Sequence, residues 1–400
     1  MSSRIEKTPE FYPPQQNPIV VRLGYFIASC LARWFYRIKL EIAPKDLEKL
    51  VPLKTERLVI LPNHVTLTDW IIIFLLSTRM QDAFHFLAAK EAFRGLVGKF
   101  MQQIGVYSIR RGVGDRASVA YTIELLMQPG VRLVIFPEGG CSYQNDTVMP
   151  FRSGAIQLPL QAMNKMVKQG NPVPDLYLVP ISLKYRYLQD MTGVIQKILS
   201  QLESRLNISK ISDDSYERLR AVAEKVLHNL EREYELERGD KTGMDWNQRI
   251  EFLKDHVLKS CEQKLEITPP PNSPPRERVY RVQSVLETRA EELPTEGYWT
   301  YESISKSTIR LLNFDAIYDG YVAANPTPER FMDTLTRLER EVFSFDRPPA
   351  PKSPRKAILR IGDPVNLKDY FQAYKENKAS TVESLTQQIQ QIVQKNLDEI

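Results

Sequence analysis

Between residues 57 and 190, short apolar runs alternate with segments of helix length. RLVILP (57–62) is a continuous apolar run that reads as a buried strand, and WIIIFLLSTRM, directly after Asp69, reads as a buried helix. AFHFLAA (83–89), GVYSIRR (105–111), VRLVIFPEG (131–139) and DLYLVPISLKY (175–185) supply further strand candidates. Strands separated by helical stretches predict an α/β layered domain, with a central mixed sheet flanked by helices.

The flanks of this region differ from it. A spanning helix needs about 20 nearly uncharged residues, and the longest uncharged stretch in 18–40, Leu23 to Ala32, is bounded by Arg22 and Arg33. Arg22, Arg33, Arg37 and Lys39 alternate with Tyr25, Phe26, Trp34, Phe35 and Tyr36. That pattern predicts a helix over 18–40 lying in a membrane interface, with a packed N-terminal helix as the competing reading. Residues 1–17 form a polar tail without the apolar core of a signal peptide. Past 190, residues 212–237 and 245–266 carry amphipathic helix patterns, the first with N-cap candidates at Ser212–Asp214. A proline-rich linker (268–278) and more helical pattern follow, to about Phe343, with no strand pattern across 191–350. After the proline cluster at 347–356, a strand pattern returns in AILRIGDPVNL, and a polar helix (Val382–Asn396) follows.

Charge and cysteines narrow the partners. Residues 1–190 hold 23 Lys and Arg against 15 Asp and Glu, and the remainder 31 against 34, so the net +5 is concentrated in the first half. Anionic partners should meet that half: phosphate-bearing lipids, an acidic carrier protein or a membrane surface. The cations are scattered and form no dense patch, which argues against nucleic acid. Cys30, Cys141 and Cys261 make no metal-ligand spacing and no even disulfide set, fitting a reducing, cytoplasmic-side location.

The candidate chemistry stands at the end of the first strand, in Asn63-His64-Val65-Thr66-Leu67-Thr68-Asp69. An Asp five positions after a His, on a strand-to-helix turn, can bond one imidazole nitrogen and leave the other as a general base. With no protein nucleophile assigned, the proton would come from a substrate hydroxyl. Phe136-Pro137-Glu138-Gly139-Gly140-Cys141-Ser142 follows another strand, and paired glycines allow close approach of a ligand to backbone. His85 reads as a core or edge histidine; His228 and His256 lie in helices without a carboxylate at useful spacing. Cys141 has no base beside it in sequence and reads as structural.

Together these blocks resemble the PlsC-like glycerol-phosphate acyltransferase family. Gly105-Val106-Tyr107-Ser108-Ile109-Arg110-Arg111 is similar to the family's glycine-to-arginine block, Val179-Pro180-Ile181-Ser182 to its fourth block, and Met149–Ala155 to the continuation after Glu-Gly. The resemblance implies transfer of a fatty acyl group from acyl-CoA or an acyl carrier protein to 1-acylglycerol-3-phosphate or a related acceptor, without metal or prosthetic group. It implies His64 as base oriented by Asp69, and an acceptor phosphate held by Arg110 and Arg111 of the block opened by Gly105. It further implies an acceptor site shaped by Gly139, with Glu138 bonding a glycerol hydroxyl, and a donor side at Val179 and Pro180. It covers 20–190 and, by inference, 355–400, where Ile361-Gly362-Asp363-Pro364 is similar to a turn that the family carries shortly after its fourth block.

The domains expected are therefore an acyltransferase domain at 18–190, an all-α insertion at 191–350, and a return to the first domain at 351–400; a separate following domain is the alternative. Two departures bear on substrate. Gly140-Cys141 stands where the family usually has Thr-Arg, and Ser108 where an aromatic is frequent. They leave open a non-phosphate acceptor or a catalytically inactive lipid-binding protein. The expected location is the cytoplasmic face of a membrane, peripheral or monotopic.

Overall fold

A computed structural model describes residues 9–210, 212–236, 243–294, 297 and 299–400. Residues 1–8 of the polar tail and residue 237 of the first long helix pattern lie outside them. The strands are β1 (Ile38–Ile42), β2 (Arg57–Pro62), β3 (His85–Ala89), β4 (Val106–Ile109), β5 (Arg132–Val134), β6 (Leu176–Tyr187), β7 (Arg355–Ile361) and β8 (Val365–Asn366). They form one mixed sheet in the order β1-β7-β6-β2-β5-β3-β4, with β8 on the edge of β6. β2, β5, β3 and β4 run parallel to one another and β6 runs parallel to β2, while β7 is antiparallel to β6 and parallel to β1.

Side chains alternate between two cores, as the period of a strand requires. Leu58 and Ile60 face the helix Asp69–Met80, while Val59 and Leu61 face the helices Gly154–Lys168 and Lys378–Asp398. The helix Asp69–Met80 is apolar on all sides because it is covered on all sides. The helix Pro18–Cys30 lies over it, with Gly24 so close to the Phe74 ring that a Cβ would stand 3.1 Å from it.

The chain leaves β6, builds the helices between Thr192 and Val342, and returns as β7, hydrogen-bonded beside β6. Those helices share a hydrophobic core of their own, from Met191 to Leu338. The helix Ser215–Glu233 is capped by Asp214, which accepts from the N–H groups of Tyr216 and Glu217. The expected linker at 268–278 ends inside a helix, Pro275–Thr288, because Pro275 occupies the first turn, where its missing N–H costs nothing.

The N-terminal helix is shorter than 18–40. It runs from Pro18 through a π turn to Phe35, Arg37 turns left-handed (φ 55°), and β1 begins at Ile38. Ile38, Leu40 and Ile42 alternate with Lys39 and Glu41, a period of two that suits pairing with β7. By length and composition Pro18–Phe35 could cross a membrane. The expected strand at 131–139 is also cut short, ending at Val134, since Pro137 has no N–H to give a ladder.

Gly105 enters β4 at φ +94°, where a Cβ would meet the Phe84 carbonyl oxygen at 2.8 Å. Gly105→Ala is expected to cost about 1–3 kcal/mol of stability, read as a lower denaturant midpoint at unchanged m-value.

Candidate active site

Strand β2 ends at Pro62, and Asn63 fixes what comes next. Its side chain is fully buried, accepts from Leu183 N–H at 2.6 Å and donates to Leu183 C=O at 3.0 Å, so the turn is pinned to the middle of β6. His64 follows on the turn and Asp69 opens the next helix. Asp69 is fully buried and its two oxygens receive four hydrogen bonds. The donors are His64 Nδ1 (3.0 Å), Thr66 N–H (2.8 Å), Thr66 Oγ1 (2.9 Å) and Tyr185 Oη (2.7 Å). A carboxylate so satisfied tolerates burial and fixes the imidazole's tautomer and plane. Phe136 stacks on the ring at 4.3 Å between centroids.

The glycine loop closes over the ring. Ser142 N–H donates to His64 C=O at 2.7 Å and Tyr143 N–H to Val65 C=O at 3.0 Å. This pairing places Cys141 Sγ over the imidazole, 3.4 Å from Nε2 and 3.8 Å from Nδ1. Burial alone would lower the His64 pKa, but the neighbouring Cys141 sulfur and the Asp69 carboxylate outweigh it, holding the ring well above the ordinary imidazole value.

Glu138 is 2 % exposed, and its oxygens accept from His64 N–H (2.6 Å) and Met149 N–H (3.2 Å), so it holds the His64 turn. Burial pushes its pKa up to about 7, against the pull of those N–H donors and of Arg276. Gly139, at φ +70°, makes room for the Arg152 guanidinium, and Gly140 for the Tyr280 hydroxyl. The close approach that the glycines permit is thus by side chains of this chain. Val179 and Pro180 are buried in β6, opposite Ile60 and Leu61 of β2, and their strand is joined to the His64 turn through Asn63.

Arg111 stacks on the Tyr280 ring at 4.2 Å and lies 3.5 Å from Glu91; Arg152 stands over the same ring at 5.4 Å. Burial, with the Arg276 and Arg111 guanidiniums nearby, lowers the Arg152 pKa despite Glu277. Arg276 itself donates to Gly140 C=O (2.9 Å) and Cys141 C=O (3.1 Å) and pairs with Asp315 at 2.6 Å. Arg110 stands apart from this cluster, its backbone N–H on Asp115 at 2.8 Å and its guanidinium 3.9 Å from the same carboxylate. Ser108, where an aromatic is frequent in the family, is buried and binds the N-terminal segment, accepting from Tyr12 N–H at 2.9 Å.

Sequence reasoning missed Asn63, Tyr185, Cys141, Arg276 and Tyr280. Only Cys141 carried a local signal, its place in the glycine block. Among the described residues no cluster of three His, Cys, Asp or Glu side chains could hold a metal ion.

Asp69→Asn keeps the shape but removes the charge, and is expected to lower kcat roughly 10³–10⁴-fold. A histidine serves as a base only when unprotonated, and the His64 pKa is raised. Activity should therefore climb with pH through an inflection above the usual histidine value, and that inflection should move to lower pH in Asp69→Asn. A profile flat across that range in both proteins would overturn the assignment of His64 as base.

Among curated proteins none matches the chain. A family model described as Acyltransferase matches residues 41–184, a span that takes in the His64 turn, the Gly105–Arg111 block, the glycine loop and most of β6. That match and the mixed α/β sheet agree with the motif blocks, and the chain carries an acyltransferase domain of the PlsC-like glycerolipid acyltransferase family.

Proposed function

We propose that the chain transfers a fatty acyl group from a thioester donor, acyl-CoA or an acyl carrier protein, to a hydroxyl of a glycerol-phosphate or lysophospholipid. We rank 1-acylglycerol-3-phosphate first among acceptors. The observation that carries this reading is the buried Asp69–His64 pair beside the Arg111, Arg152 and Arg276 guanidiniums. With Nδ1 engaged by Asp69, His64 Nε2 is the nitrogen left for proton transfer. The three cations suit an anionic head group, and Arg276 supplies charge beside a loop in which Cys141 stands where the family usually has arginine. A thioester is already activated toward attack, so the transfer asks for no metal or prosthetic group.

We also place the protein on the cytoplasmic face of a membrane, as a peripheral or monotopic enzyme. The support is exposed apolar surface: Ile19, Phe26, Trp34 and Phe35 on the first helix, with Leu96 and Val97 on the helix Gly95–Gln103. Asn17 N–H donates to Gln103 C=O at 2.9 Å, joining the start of one helix to the end of the other. Surface of this kind needs a cover, and a lipid interface provides one.

Transfer from labelled palmitoyl and oleoyl thioesters to a panel of lysolipids tests the chemistry. His64→Ala is expected to lose roughly 10²–10⁴-fold in kcat/KM, with a phosphate-bearing acceptor preferred by wild type. Failure with every acceptor, alongside tight vesicle binding by both proteins, would favour a lipid-binding protein without catalysis. For the membrane face, Phe26→Asp with Trp34→Asp should weaken vesicle flotation tenfold or more, because burying each ring is worth about 1.5–3 kcal/mol. Undiminished flotation would remove the interfacial assignment.

A further inference from the structure

Arg111 and Arg152 belong to the acyltransferase domain, but the group that brings them together does not. Tyr280 lies on the helix Pro275–Thr288, which the chain builds between β6 and β7, and it is 3 % exposed. Its ring carries the Arg111 guanidinium at 4.2 Å and the Arg152 guanidinium at 5.4 Å. Attraction to one aromatic ring thus gathers two cations that would otherwise repel each other. We propose that Tyr280 is a positioning residue for acceptor selection: its ring sets Arg111 and Arg152 to receive a phosphate head group. This deepens the acyltransferase reading and rests on it for the nature of the acceptor.

The ring is fixed by contacts on both sides. The Tyr280 hydroxyl lies so close to Gly140 that a Cβ there would collide with it, and a Cβ on Gly112 (φ +74°) would collide with the Tyr280–Arg281 backbone. Arg276 and Glu277 stand four and three residues before Tyr280, on the same helix face. Arg276 donates to the carbonyls of Gly140 and Cys141, and Glu277 lies 3.9 Å from Arg152. One helix face of the insertion is therefore built against the glycine loop and the arginines together.

Stacking engages the flat faces of the guanidiniums and leaves their edges to other partners. Those edges are incompletely filled. Arg111 Nε and Arg152 Nη2 are shut from solvent and, among the described residues, have no hydrogen-bond acceptor. The carboxylates beside them, Glu91 at 3.5 Å from Arg111 and Glu277 at 3.9 Å from Arg152, are too distant for charge-assisted hydrogen bonds. Buried donors without partners are costly, and a phosphate offers the oxygens that satisfy them.

The test uses the full-length protein with Tyr280→Leu and Tyr280→Met, which keep bulk without an aromatic ring, and Tyr280→Phe, which keeps the ring. Thermal melts identify the variants that fold. Transfer from palmitoyl-CoA to lysophosphatidic acid is compared with transfer to monoacylglycerol, which lacks the phosphate. Tyr280→Leu and Tyr280→Met should lower the ratio of kcat/KM for lysophosphatidic acid over monoacylglycerol about tenfold, chiefly through KM for the phosphate acceptor. Tyr280→Phe should keep that ratio within about threefold of wild type. A ratio unchanged in the Leu and Met variants, or lowered as much in Tyr280→Phe, would overturn the inference and leave the acyltransferase reading intact. If wild type acylates neither acceptor, that reading fails, and calorimetric titration with sn-glycerol 3-phosphate decides the inference alone. Weaker binding by the Leu and Met variants, with Tyr280→Phe like wild type, upholds it; equal binding by all overturns it.

Discussion

Two backbone hydrogen bonds, from Ser142 N–H to His64 C=O and from Tyr143 N–H to Val65 C=O, govern the rest of the site. They join the turn after β2 to the loop after β5, although some seventy residues separate the two in the chain. With them in place His64, Phe136, Glu138 and Cys141 share one small volume, and Asp69 lies beneath. Such bonds are worth making because buried backbone groups left unpaired are costly. The neighbouring side chains continue the same accounting: Glu138 takes the His64 and Met149 N–H groups, and Asn63 satisfies both polar groups of Leu183.

The helices between β6 and β7 act as the outer wall of this arrangement. Their own core makes them a body in their own right. Their polar residues nonetheless reach into the loop of residues 140–146: Arg276 on two carbonyls, Arg337 on Ser142, Asp333 on Asn145, and Arg330 on Asp146 at 2.8 Å. Gly112 adds a backbone contact, since a Cβ there would collide with the Tyr280–Arg281 backbone. The loop that faces the imidazole is therefore clamped on one side by the sheet and on the other by the helices.

Electrostatics follow the same geometry. Burial opposes charge on both Glu138 and His64, and the outcomes differ because their partners differ. For Glu138 burial prevails over the N–H donors of His64 and Met149 and the charges of His64 and Arg276, and its pKa rises. His64 has a carboxylate and a sulfur at contact distance, so proton affinity prevails over burial. Arg152, buried and with two other guanidiniums nearby, is pushed the opposite way from Arg249, which gains from Glu231 and Glu224.

By itself the sequence determined the layered α/β class, the strands β2, β3, β4 and β6, the helical character of 191–350, and the pairing of His64 with Asp69. These are local properties: apolar period, capping residues and a five-residue spacing on one turn. Only the tertiary structure decided that 38–42 is a strand, because the period of two in IKLEI is too brief to read until β7 lies beside it. It also turned Glu138 inward and put Val179 and Pro180 in the core. The same is true of Cys141, Arg276 and Tyr280, which lie far from His64 in the chain and meet its turn only through the packing of a loop between a sheet and a helical wall. Spacing can report a partner five residues away; a partner 77 residues away is chosen by where backbone hydrogen bonds can be completed.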